Sequence, residues 1–189
     1  MGGKEMNLKK LIKSLLVCGA MAIGTAPTPV LAADETDATV SVTKQLEFSE
    51  GLAIPDMKFE FDVTPETADA PYASIAPVSM NAKDTTSEEN SKQIITKTST
   101  VTFNKDGKTG GNAFAHAGEY IYKISEVNGG LENVTYSTDT YKLHVLVANK
   151  ADGGLYIKNA AVSKNDETNK NEAITFVNSY SKTGSLTVS

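Results

Sequence analysis

The 189-residue sequence contains one Cys, two His, no Trp and no Arg. A single Cys excludes an internal disulfide, and with two His it leaves too few soft ligands for a structural zinc or iron–sulfur site. All 18 basic residues are Lys, against 23 Asp and Glu, so there is no arginine patch of the kind that recognises phosphates or base edges. We therefore expect no metal, no cofactor and no nucleic-acid partner.

Residues 1–32 have the organisation of a secretory signal peptide. Four lysines precede an apolar stretch at residues 14–26, and a proline-containing segment then leads to Ala32 and Ala33. A transmembrane anchor is disfavoured because this apolar stretch is shorter than the roughly 20 residues that span a bilayer. We expect export and cleavage near Ala32/Ala33, which removes Cys18 and leaves 14 Lys against 22 acidic residues.

The remaining sequence alternates between short segments rich in Val, Thr, Ile, Tyr and Phe and turn clusters of Asp, Asn and Gly. The seven predicted strands span residues 39–48, 58–64, 94–103, 119–127, 141–149, 154–161 and 173–180. Their number and spacing predict an all-β, immunoglobulin-like β-sandwich.

The predicted domain covers residues 38–181. Within it, residues 65–90 show little periodicity and are predicted to form a long loop with at most a helical turn. Residues 182–189 are interpreted as a linker and the start of a truncated second domain, because a Gly-containing segment there is followed by a strand-like pattern.

Three polar residues interrupt the apolar faces of predicted strands. By strict alternation Lys44, Glu126 and Asn178 all point inward, although Ile121 and Val127 give Glu126 an apolar opposite face as well. For Lys44 alone, a long side chain that reaches back to solvent is the simpler interpretation. Three such breaks favour one buried polar site, because an unpaired buried charge is expensive. The apolar residues on these faces are Val40, Val42, Leu46, Phe48, Tyr120, Tyr122, Ile124, Ile174, Phe176 and Tyr180.

A buried Lys, Glu and Asn have a specific chemistry. Burial lowers the pKa of Lys and raises that of Glu, so the pair can exist as a neutral amine and a protonated acid. The amine of Lys44 can then attack the side-chain carbonyl of Asn178. In this scheme Glu126 hydrogen-bonds the carbonyl oxygen and carries protons to the departing ammonia, which leaves a Lys–Asn isopeptide bond.

The sequence resembles the isopeptide-linkage domain of Gram-positive, especially streptococcal, major pilins of the T-antigen or backbone type. The resemblance extends over residues 39–180 and is carried by residues 40–44, 122–129, 147–154 and 174–180. It implies that Lys44 is the amine donor, Asn178 the acceptor and Glu126 the catalytic acid and base. It also implies that the only reaction is a single-turnover self-crosslinking, so that the protein is not an enzyme.

The same resemblance implies an exported structural subunit of a cell-wall pilus. Such subunits are joined covalently, head to tail, to copies of themselves by a pilin-polymerising sortase, and minor pilins are further partners. In relatives the lysine used for this joining lies shortly before the last strand. Here Lys170 and Lys164 occupy that region, with Lys170 the first candidate.

A cell-surface adhesin or ligand-binding module on the same sandwich is the alternative function. An exposed aromatic or acidic patch on residues 65–90 would favour it, whereas a pilin needs a docking face and a polymerising lysine. Hydrolase activity is not expected, because no nucleophile and base occur at a recognisable spacing.

Overall fold

The computed structural model describes residues 35–165 and 173–182, which form thirteen β-strands and one short 3₁₀ helix. The predicted signal peptide lies outside the described residues, as does the predicted second-domain start after residue 182. Within the described part, no helix is long and apolar enough to cross a membrane. The elements are β1 (Ser41–Phe48), β2 (Met57–Phe59), β3 (Phe61–Pro65), β4 (Tyr72–Ile75), β5 (Val78–Met80), β6 (Thr86–Glu89), β7 (Lys92–Lys105), β8 (Lys108–Thr109), η1 (Gly110–Ala113), β9 (Gly118–Glu126), β10 (Val134–Thr135), β11 (Thr140–Asn149), β12 (Leu155–Lys164) and β13 (Ile174–Tyr180).

Two sheets form the sandwich. The larger has the order β10-β13-β1-β7-β4, with β6 and β8 also pairing with β7, and the smaller has the order β12-β11-β9-β3. Strands β2 and β5 make a separate two-stranded sheet. The predicted all-β, immunoglobulin-like sandwich is therefore confirmed.

The first and last strands are neighbours. Strand β1 pairs in parallel with β13 on one side and antiparallel with β7 on the other. Alternate residues of β1 are buried, as the sequence pattern predicts for a strand with one face on the core. The domain's two ends thus meet in the middle of the larger sheet.

The prediction of a loop over residues 65–90 is wrong, because β4, β5 and β6 lie there. The first two have only four and three residues, too few for alternation to stand out from the surrounding Pro, Ser and Asp. Every residue of β6 is exposed, so this strand carries no apolar period at all. Strands β4 and β5 are specified by pairing with partners distant in the sequence, β7 and β2, whereas β6 forms a hairpin with the β7 strand that directly follows it.

The buried apolar residues form two clusters. The larger fills the space between the two sheets and contains Val42 and Phe176. The smaller packs under the β2–β5 pair and contains Leu46 and Tyr180. Along both β1 and β13, one inward position lies between the two clusters, and a polar residue occupies it in each strand.

Candidate crosslinking site

Lys44 and Asn178 are the two polar residues at the junction of the apolar clusters. In the parallel register, Lys44 lies beside Phe176, and Leu46 beside Asn178. Lys44 is 0% and Asn178 1% exposed. The two side chains therefore share the inner face of one sheet, two positions apart along adjacent strands.

Glu126 reaches the same point from the opposite sheet, at the end of β9. It follows Tyr122 and Ile124 on the buried parity of this strand, and its side chain is fully buried. The Nζ of Lys44 lies 2.8 Å from Oε1 of Glu126. Lys44 also donates to the carbonyl of Phe176 at 3.3 Å, and its Nζ lies 4.8 Å from the centre of the Phe59 ring.

Asn178 contacts the same carboxylate oxygen. Its Nδ2 donates to Oε1 of Glu126 at 3.0 Å, while its Oδ1 accepts from the backbone N–H of Ser137 at 2.8 Å. This orientation differs from the sequence-based scheme, in which Glu126 binds the carbonyl oxygen. The Ser137 N–H occupies the oxygen side of the amide, so the amide nitrogen faces Glu126.

Burial alters the titration of Lys44. Removal from water lowers its pKa from 10.5 to about 8, although the hydrogen bond and the charge of Glu126 oppose this change. Every buried side-chain polar atom in the described part of the chain has a hydrogen-bond partner. The site is therefore a satisfied polar cluster within an apolar core, and its amine loses its proton far more readily than an ordinary lysine does.

Lys97 provides a comparison within the same sheet. It lies opposite Lys44 in the register of β7 and pairs with Asp84 at 2.7 Å, but its side chain is 35% exposed. The hydrogen bond from Lys97 holds the pKa of Asp84 below its ordinary value, as expected for an ion pair in contact with water. Two neighbouring lysines with carboxylate partners thus differ chiefly in burial.

The arrangement brings a nucleophile, an acceptor and a proton carrier together. The amine of Lys44 and the amide nitrogen of Asn178 both contact one oxygen of Glu126, so a proton can pass between them through that group. Little solvent reorganisation is required because all three side chains are buried. The geometry suits acyl transfer from the amide to the amine.

Two contacts of the site were missed by the sequence reasoning. Phe59 could have been found, since alternation places it on the apolar face of the predicted strand 58–64. Ser137 could not, because it acts through its backbone N–H, which no side-chain pattern reports. It lies in the connection between β10 and β11.

The predicted polymerising lysines are placed differently. Lys164 is the last residue of β12, where its Nζ lies 2.7 Å from Asp139 and 6.0 Å from the Tyr141 ring centre. Burial raises the pKa of Asp139, but hydrogen bonds from Lys164 and Asn165 outweigh this and hold it below the ordinary value. Lys170 lies outside the described residues.

No cluster of three or more His, Cys, Asp or Glu side chains that could hold a metal ion occurs in residues 35–165 and 173–182.

The sequence model of the family described as FctA, Spy0128-like isopeptide containing domain, matches residues 40–181. No curated protein matches significantly.

Solved structures of streptococcal major pilins match the chain. The major pilin T-13 of Streptococcus pyogenes is 26% identical with a TM-score of 0.57, and the match covers 77% of this chain and 53% of that one. The T3.2 major pilin of the same species is 20% identical with a TM-score of 0.56, and the match covers 78% of this chain and 54% of that one. A further S. pyogenes major pilin is 21% identical with a TM-score of 0.51, and the match covers 77% of this chain and 51% of that one. The latter two show the fold alone, and the chain spans about half the length of these pilins.

Proposed function

Because the chain belongs to the Spy0128-like isopeptide-containing domain family, we propose that it is a pilus subunit whose domain closes itself with a bond between Lys44 and Asn178. Glu126 serves as the acid and base of this reaction. The observation that carries the proposal is the fully buried contact of one Glu126 oxygen with both reacting nitrogens, at 2.8 and 3.0 Å.

The reaction begins with a proton transfer inside the site. A proton moves from Lys44 to Glu126, giving a neutral amine and a carboxylic acid, which low polarity favours over the ion pair. The lone pair of Nζ attacks Cγ of Asn178 and forms a C–N bond, which leaves a positive charge on Nζ and a negative charge on Oδ1. Glu126 then donates its proton to Nδ2.

Collapse of the intermediate completes the exchange. Glu126 takes one proton from Nζ, the carbonyl reforms, and the bond from Cγ to Nδ2 breaks. One amine and one primary amide become one secondary amide and one ammonia. No oxidant, metal or cofactor is required. Glu126 ends as the carboxylic acid formed in the first step, and it becomes a carboxylate again when this proton leaves with the ammonia as ammonium.

The wider function is proposed on the family and on the pilins that share the fold. The subunit is exported to the cell wall of a Gram-positive bacterium and joined to copies of itself by a sortase, with minor pilins as further partners. Lys170 and Lys164 remain the candidates for the joining lysine. For Lys164, joining requires its release from Asp139.

The adhesin alternative required an aromatic or acidic patch within residues 65–90. Tyr72 is 67% exposed there, and Glu88 and Glu89 are also exposed. However, Tyr72 pairs with Asn104 at one end of β7, whereas Glu89 pairs with Lys92 at the other. Because these groups lie at opposite ends of one strand and form no common patch, we propose no second function.

The internal bond can be tested by mass. The folded domain should be lighter than its sequence by one ammonia, and a tryptic digest should contain a branched peptide that joins Lys44 to Asn178. Glu126→Gln keeps the size and hydrogen bonding of the side chain but cannot carry the proton, so this variant should retain its full mass. Glu119→Gln, on the exposed face of the same strand, is the matched control and should react like the parent. A parent protein of full mass, with both peptides free, would refute the proposal.

The rate of bond formation should depend on pH in a specific way. The reactive pair shares one proton, and this proton leaves when the pH rises through the pKa of Lys44, about 8. The rate constant should therefore be level between about pH 6.5 and 7.5 and fall about tenfold per pH unit well above pH 8. Unreacted chain refolded from urea at each pH, with intact mass followed over time, gives this profile.

Lys97→Met is the control for this profile, because it removes the neighbouring exposed lysine and should leave the profile unchanged. A rate that instead rises through pH 8 would mean that Glu126 reacts first as a carboxylate base, contrary to the proposed order of proton transfers.

A further inference from the structure

We infer that the backbone N–H of Ser137 is the oxyanion donor for the crosslinking step, stabilising the negative charge that develops on Oδ1 of Asn178. The inference rests on the proposed reaction and adds a backbone group to the side chains of Lys44, Glu126 and Asn178. It follows from the hydrogen bonds of the Asn178 amide: its nitrogen donates to Glu126, whereas its oxygen accepts from the connection between β10 and β11.

The chemistry requires such a donor. When Nζ attacks Cγ, the carbonyl oxygen becomes an alkoxide, and in an apolar core this charge is costly unless a hydrogen bond meets it. Glu126 is engaged on the other side of the amide, where its Oε1 contacts both nitrogens. In the described part of the chain, the hydrogen bond shown for Oδ1 comes from Ser137, at 2.8 Å, within the range of effective oxyanion donors.

The donor is held in place before the reaction. On one side of Ser137, the hydroxyl of Tyr136 accepts from the N–H of Leu131 at 3.2 Å, and its ring packs edge-on against Phe59. On the other side, the N–H of Asp139 donates to Oγ of Ser137 at 3.3 Å. A donor fixed by its surroundings requires no reorganisation when charge appears, which is the condition for electrostatic stabilisation of a transition state.

The Asp139 end of this segment is anchored further. The carboxylate of Asp139 pairs with Lys164 at 2.7 Å and accepts from Asn165 at 3.3 Å. The N–H of Thr140 donates to Oδ1 of Asn165 at 2.9 Å. The connection that carries the Ser137 N–H is thus fastened to the end of β12, outside the site.

The side chain and the backbone of Ser137 have separate roles. Its Oγ faces Asp139, whereas its N–H faces Asn178 and, at 3.3 Å, the second oxygen of Glu126. Proton transfer to Glu126 weakens that longer contact, because a neutral acid accepts hydrogen bonds less strongly than a carboxylate. The N–H is then directed to Asn178 as the reaction begins.

The test removes the N–H and keeps the side chain. Replacing Ser137 by the corresponding α-hydroxy acid turns its amide N–H into an ester oxygen, and Ser137→Ala removes only the hydroxyl. Unreacted chains are refolded, and the rate of ammonia loss is measured by intact mass. The ester should react on the order of 100-fold more slowly than the parent, the usual effect of removing one oxyanion donor. Ser137→Ala should stay within about fivefold of the parent, because it keeps the N–H.

Each outcome has a defined meaning. A folded ester variant that reacts at the parental rate overturns the inference but leaves the proposed crosslink intact. A parent that never loses ammonia overturns the proposed crosslink, and the inference with it.

A second measurement covers an ester variant that does not fold. In Lys44→Met, which cannot react, nuclear magnetic resonance should detect a scalar coupling through the hydrogen bond between the Ser137 nitrogen and Cγ of Asn178. Its absence in a folded Lys44→Met protein overturns the inference.

Discussion

Asn178→Ala should lower the melting temperature of the domain by about 10 to 20 °C. Lys44 and Asn178 are 134 residues apart, so the proposed bond closes nearly the whole domain into one loop. The chain-entropy relation for crosslinks gives about 5 kcal/mol for a loop of this length, at the upper end because strain and residual unfolded structure reduce it. For a domain of this size, 1 kcal/mol corresponds to about 2 to 4 °C in melting temperature. Differential scanning calorimetry of parent and variant measures the difference.

Two further variants separate the crosslink from the hydrogen bonds lost with Asn178. Glu126→Gln and Lys44→Met both prevent the bond but retain the amide. Lys44→Met leaves Glu126 without its cationic partner and Glu126→Gln leaves Lys44 without its anionic partner, so each variant also carries the cost of one unpaired buried group. If Lys44→Met melts with the parent, the bond contributes nothing and the prediction is wrong.

Stretching single molecules between their ends should extend Asn178→Ala by roughly 450 Å more than the parent, the contour length of the 134 residues between the crosslinked positions. If the proposed bond is present in the parent, force enters through the start of β1, crosses from Lys44 to Asn178 and leaves through the end of β13. The residues between these positions carry no tension. Only the few residues outside the bond can be drawn out.

Asn178→Ala should still resist mechanical unfolding before it extends. Strands β1 and β13 are parallel, so opposed forces at the start of one and the end of the other load all their hydrogen bonds together. Lys97→Met keeps the bond and should behave like the parent. Equal extension of the parent and Asn178→Ala would show that the bond does not carry the force.

Alternation alone places Lys44 and Asn178 on the inner faces of their strands, because each interrupts a run of inward apolar residues. The structure buries both and brings them to Glu126. Their adjacency could not be derived in this way, since the parallel pairing of β1 with β13 joins segments more than 130 residues apart. The family resemblance supplied the partnership of Lys44 with Asn178, and the crosslink itself stays a prediction.

Other features left no pattern in the sequence. The contact of Ser137 with Asn178 is made by a backbone group, and any residue except proline has one. The orientation of the Asn178 amide depends on that contact, so the sequence-based scheme placed the carbonyl oxygen on the wrong side. Lys164 was predicted from the resemblance only as a candidate joining lysine, and its ion pair with Asp139 depends on the connection between β10 and β11, 25 residues earlier.

The position of β1 between β7 and β13 also determines when the bond can form. A chain that emerges with its amino terminus first cannot complete the larger sheet until residue 180 has arrived. Until then the amine of Lys44 remains in water, protonated and inert. If the proposed bond forms once β13 docks, the departing ammonia is lost to solvent, so the reverse reaction lacks its reactant and the folded state is fixed irreversibly. The loss of one ammonia in mass would then identify each molecule that has completed folding.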